Sequence, residues 1–125
     1  MTGAADIKPK HFILTYTDMT GIARLLVQLT ITWPDAAAGA LDHIKFASKT
    51  IWNAGSSSSP TTINSTDWLL SPSDRLLAAF GSDTLEVHFA NNIAGTGNFI
   101  VQARWDDAAG SGTNICDSAP VTVTP

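Results

Sequence analysis

Three histidines, His11, His43 and His88, are the side chains of this sequence best suited to acid–base or metal chemistry near neutral pH. A nucleophilic hydrolase needs such a base within reach of a serine or cysteine, with a third group orienting it. No Gly-x-Ser-x-Gly turn exists here to present a serine. His88 alternates with Glu86 on the outward face of one expected strand, so the pair reads as a polar surface contact rather than a catalytic base. Zinc sites built from closely spaced Cys and His pairs have a recognisable spacing, and no pair in this chain shows it. No catalytic residue, metal ligand or cofactor is assigned, and the chain is not expected to be an enzyme.

Carboxylates give a similar answer. Glycoside hydrolysis needs two acids facing each other across a cleft, whereas Asp106 and Asp107 are sequence neighbours in an expected loop. Calcium takes oxygen ligands, and loops carrying Asp18, Asp67, Asp74, Asp83, Asp106 and Asp107 would have to converge to supply them. No Asp-x-Asp-x-Asp-Gly run is present. The pair Gly95-x-Gly97 has no following lysine and reads as a turn rather than a phosphate loop.

Aromatic residues offer a binding alternative. Of the four tryptophans, Trp33 and Trp105 continue inward-facing series and belong to the core. Trp52 and Trp68 sit beside polar loops and are the candidate platform for stacking a sugar ring, which would make this a carbohydrate-binding module. Asn64-Ser65-Thr66 is an N-glycosylation sequon, and Asn64 is the corresponding candidate for modification.

The totals limit the partners. The chain has 125 residues, 44% of them hydrophobic and only 14% charged, with a net charge of −4. That length fits one domain spanning residues 1–125, with residues 1–10 an extended N-terminal arm. Seven scattered Lys and Arg make no basic stripe, so nucleic acid is not an expected partner. No apolar run reaches the length of a membrane span. Residues 1–10 lack the apolar core of a secretory signal, and the low charge favours a protein whose leader has been removed. The one cysteine, Cys116, permits no internal disulfide and reads as a small buried apolar side chain.

Period-two alternation dominates the elements that would position these groups. Expected strands cover residues 11–17, 22–33, 41–47, 50–52, 61–64, 68–70, 75–78, 84–90 and 98–105, with Val121 and Val123 in a closing strand. Leu25, Val27, Leu29, Ile31 and Trp33 point one way, and Leu26 breaks the polar face. Residues 18–21 suggest a hairpin joining the first two strands. Residues 55–60, with four serines and a proline, read as a flexible connection, and only residues 35–47 have room for a helical turn. The expected fold is all-β, an immunoglobulin-like antiparallel sandwich of about 7–9 strands.

Residues 32–105 resemble a β-sandwich module of bacterial secreted, cell-surface and prepilin-type proteins. The resemblance runs through Thr32-Trp33-Pro34, Leu41-x-x-Ile44-Lys45, Thr50-Ile51-Trp52 and Asp67-Trp68. It continues in Ser73-Asp74-Arg75-x-Leu77-Ala78 and Ser82-Asp83-Thr84-Leu85-x-Val87-x-Phe89. It implies a structural or adhesive part of an exported, extracellular or cell-surface protein. Independently, unpaired sheet edges and the extended ends at residues 1–10 and 118–125 suggest a filament or pilus-like subunit that self-associates through sheet edges or terminal strands. The chain departs from the type IV pilin pattern in having no apolar N-terminal helix and in placing Cys116 beyond Trp105-Asp106.

Overall fold

Strict alternation of apolar and polar residues gives a strand one face that must be covered, and two such sheets cover each other. The computed structural model describes residues 4–125, apart from the Ser65 side chain, and shows this arrangement with eleven strands among those residues. They are β1 (Asp6–Ile7), β2 (His11–Thr17), β3 (Arg24–Thr32), β4 (Leu41–Phe46), β5 (Lys49–Trp52) and β6 (Thr61–Asn64). After these come β7 (Leu76–Leu77), β8 (Ser82–Phe89), β9 (Phe99–Asp107), β10 (Cys116–Asp117) and β11 (Val121–Val123). One sheet runs β1-β2-β8-β4-β5. The other runs β10-β9-β3-β6, with β11 also on β9 and β7 also on β3. Every pairing is antiparallel. The chain is thus an all-β sandwich of two antiparallel sheets.

The core lies between the layers. Phe12, Leu14 and Tyr16 of β2, Leu85, Val87 and Phe89 of β8, and Phe99, Val101, Ala103 and Trp105 of β9 all point into it. Each large side chain so buried stabilises the fold by roughly 1.5–3 kcal/mol. Phe12, Phe89 and Phe99 meet at ring-centroid distances of 4.9–6.0 Å, and Tyr16 packs edge-on against Trp105 at 5.4 Å. Trp33 and Trp105 are core residues, as their strand positions predict. Their indole N–H groups donate to Gly39 O and Ser118 Oγ.

Four local expectations need correction. First, residues 18–21 do not close a hairpin, because β2 and β3 lie in opposite sheets and the turn carries the chain across the sandwich. Second, β3 slips register against β9 between Leu26 and Gln28. This β-bulge turns Leu26 into the core and leaves Val27 outside it, so the unbroken series Leu25 to Trp33 does not hold. Third, the serine-rich segment 55–60 is tied down rather than a free linker. Ser56 exchanges both backbone hydrogen bonds with Leu41, and Ser59 Oγ accepts the Trp33 N–H at 2.8 Å. Fourth, residues 68–70 form no strand; they follow a 3₁₀ turn at Ser65–Asp67 and precede another at Pro72–Arg75. The expected helical turn is α1 (Asp35–Ala38). Residues 47 and 48, both with positive φ, make the tight turn of the β4–β5 hairpin.

Candidate functional site

The strand register gathers the three histidines, which lie far apart in the sequence. His11 of β2 stands directly opposite His88 of β8, and His43 of β4 stands opposite His88 from the other side. Their rings stack in order His11, His88, His43, with centroids 4.1 and 4.0 Å apart and planes within 17° of parallel. The array lies on the outer face of the five-stranded sheet. A register shift between Leu41 and His43 helps to build it, because the extra residue places Asp42 and His43 together beside His88.

Two carboxylates address the imidazoles. His43 Nδ1–H donates to Asp42 Oδ2 at 2.6 Å, and His88 Nε2–H donates to Glu86 Oε1 at 3.1 Å. A carboxylate oxygen only accepts, so these contacts assign the ring protons. Half-burial holds the His88 pKa below its usual value. The Glu86 hydrogen bond opposes that shift, and the neighbouring His43 and His11 reinforce it. Burial therefore favours the neutral form of the His88 ring. Neutral imidazoles beside a carboxylate on an open sheet face can bind a cation or exchange protons. The hydrogen bonds of His43 and His88 run to acids and not to a hydroxyl nucleophile.

A second feature lies at one end of the sandwich. A cleft of about 200 Å³ is lined by Tyr16, Asp18, Met19, Arg24, Trp105 and Cys116, among others. Tyr16 Oη and Asp18 Oδ2 are buried there without a hydrogen-bond partner among the described residues. Burial pushes the Tyr16 phenol up to about 12. Cys116 is exposed, not buried as expected. It lies on the short edge strand β10, opposite Trp105, where its side chain misses the core. Met19, Ile22 and Phe80 project beside this end with 66%, 56% and 74% exposure. The two loops that carry them are joined by the Phe80 N–H to Thr20 O bond.

The two tryptophans of the candidate sugar platform lie in different surroundings. Trp52 is only 4% exposed and belongs to the core, so it offers no face to a ring. Trp68 is half-buried, donates its indole N–H to Val27 O at 3.3 Å, and has the Arg75 guanidinium 4.9 Å from its ring centroid. Arg75 is itself buried and donates from Nε to Leu26 O at 3.0 Å. Both side chains serve the β3 bulge. They donate to the carbonyls of Leu26 and Val27, which lie at the bulge and pair with neither β6 nor β7. Asn64 ends β6, where its backbone N–H is held by Asp67 Oδ2 and its side chain is half-buried beside Gln28 and Trp68.

The loop aspartates also serve local structure. Asp18 Oδ1 accepts from the Thr20 backbone and hydroxyl, and Asp74 pairs with Lys49 at 2.7 Å. Asp106 and Asp107 accept bonds from residues 109–114 and shape the loop that follows β9. Among the described residues, the one group of three or more ligating side chains is His11, Glu86 and His88. Sequence reasoning missed it because no short spacing links these positions. The available signal was the alignment of His11 and His88 at outward positions on two strands.

No family model matches this chain, and no curated protein matches its sequence.

Proposed function

We propose that this domain is a non-catalytic, self-associating building block of an extracellular or cell-surface assembly, filamentous or pilus-like in kind. The observation that supports this reading most is the attachment of the N-terminal strand. β1 pairs with β2 through two residues, Asp6 with Ile13 and Ile7 with Phe12, and both β1 side chains are exposed. Little buried area holds such a strand to its own domain, and β2 presents an edge that accepts a strand from a neighbour equally well. Exchange of β1 between copies therefore costs little and links domains into a chain. The sparsely charged, Thr- and Ser-rich composition fits exposed sheet faces, and the projecting Met19, Ile22 and Phe80 offer further apolar contact. No helix among the described residues is long and apolar enough to cross a membrane.

The test removes residues 1–7 and leaves Pro9 and Lys10, whose carbonyls accept the Ile93 and Phe89 N–H groups. The full chain should form concentration-dependent oligomers in sedimentation velocity and filaments by electron microscopy. The truncated chain should remain monomeric with an unchanged β-type circular dichroism spectrum. A full chain that stays monomeric at high concentration, or a truncated chain that assembles normally, overturns the proposal.

A further inference from the structure

We propose that the outer face of the five-stranded sheet carries a site for a late first-row divalent ion, Zn²⁺ or Cu²⁺, with His11, His88 and Glu86 as ligands and His43 beside them. Every histidine of the chain lies in one stack across three adjacent strands. One potential ligand atom from each of His11, Glu86 and His88 lies within 4.8 Å of the others, and all three side chains are partly buried. Strands β2, β8 and β4 are neighbours in the sheet and carry core residues on their inner face, so the backbone under the array is firmly held.

The donor set selects the ion. Two imidazole nitrogens and one carboxylate oxygen suit zinc and copper, whereas calcium and magnesium demand mostly oxygen. Lys45 stands opposite Glu86 in the β4–β8 register. The face therefore lacks the concentrated negative charge that would draw a hard cation, and nitrogen donation must supply the affinity. Ligand atoms around a four-coordinate zinc at its usual bond lengths lie about 3.3 Å apart. Binding must swing the His11 and His88 rings out of their near-parallel stack, because each imidazole lone pair lies in its ring plane and both must converge on the ion. Glu86 and His88, two apart on one strand, already share a hydrogen bond along the direction the ion would take.

The protons balance without a co-reactant. His88 now carries its proton on Nε2, pointing at Glu86. When the ion takes Nε2, that proton passes through solvent to Nδ1, and the ring remains neutral. His43 needs no such exchange, because its Nδ1–H is held by Asp42 Oδ2 and its Nε2 lone pair is left for a ligand.

The test titrates metal-stripped full-length protein with ZnCl₂ or CuSO₄ by calorimetry, with MgCl₂ and CaCl₂ as comparison ions. Histidine ring resonances are followed by NMR in parallel. One equivalent of zinc or copper should bind with micromolar or better affinity, shift the His11 and His88 ring signals, and raise the thermal midpoint. Magnesium and calcium should do none of these. His88→Gln, which removes a ligand, should lower the affinity by about 100-fold or more, whereas Asp42→Asn, whose partner His43 is not a ligand, should change it by less than about threefold. His11→Gln is the second variant should His88→Gln fail to fold in chelator. Absence of binding at millimolar zinc and copper, several weak equivalents, or affinity retained without His88 or His11 overturns the site.

Discussion

The phenol of Tyr16 tests how dry the end of the sandwich is. Its hydroxyl is buried and unpartnered, and its pKa is pushed up to about 12 from the model-compound value of 10.0. In the unfolded chain the phenol ionises near 10, whereas the folded chain retains the proton until about 12. Between these values the unfolded state binds fewer protons, so stability falls as pH rises. The contribution is fully present below the unfolded pKa and is lost as pH passes through the folded one. Two pKa units correspond to about 3 kcal/mol. Tyr16→Phe removes the titration and the orphaned hydroxyl while leaving the edge-on contact with Trp105. The variant should match or exceed the parent by about 1 kcal/mol near neutrality, because an unpartnered buried hydroxyl carries an uncompensated desolvation cost. Its advantage should then grow by about 3 kcal/mol as the solution is brought through the phenol's titration.

Urea unfolding of both proteins across the alkaline range measures that difference, and lysine titration, common to both, cancels. Tyr16 is the one tyrosine of the chain, so the tyrosinate absorbance band reports the same group directly. A folded phenol that ionises near 10, or a stability difference independent of pH, refutes the argument.

Two further outcomes follow from the loops and the bulge. Arg75→Met should cost about 2–3 kcal/mol in denaturant unfolding, because it strands the Leu26 carbonyl in a buried place. Loss below about half a kilocalorie would mean that water or another donor replaces the guanidinium. Asp107 is held at about 2, chiefly by hydrogen bonds from Ser111 and Asn114. Its stabilising effect is present above the ordinary aspartate range and disappears as pH falls through about 2. Asp107→Asn should therefore flatten the acid limb of the stability profile, read by thermal midpoints in that window. An unchanged acid limb would sink the assignment.

Much of the sandwich was legible in the sequence because alternation is a local property. His11–Thr17 and Thr61–Asn64 form with their expected bounds, and Leu85, Val87 and Phe89 point inward as their spacing requires. Burial of Trp33 and Trp105 followed from the same rule. The errors fall where alternation is interrupted. Leu26 and Val27 look like a break in the polar face, yet only pairing with β9 shows that the break is a bulge. Trp52 and Trp68 neighbour polar loops in sequence. The first is nonetheless a core residue and the second a donor to that bulge. Cys116 has a buried residue's composition but an edge strand's position.

By itself, then, the sequence determined most of the long strands and which face of each seeks cover outside the bulge, since a side-chain period of two needs no partner to be read. Tertiary structure alone decided which strands are neighbours. That choice sent β2 and β3 to opposite sheets and brought His11, His88 and His43 into one stack. The reason is that pairing depends on how both sheets bury their apolar faces at once, and no single segment contains that information.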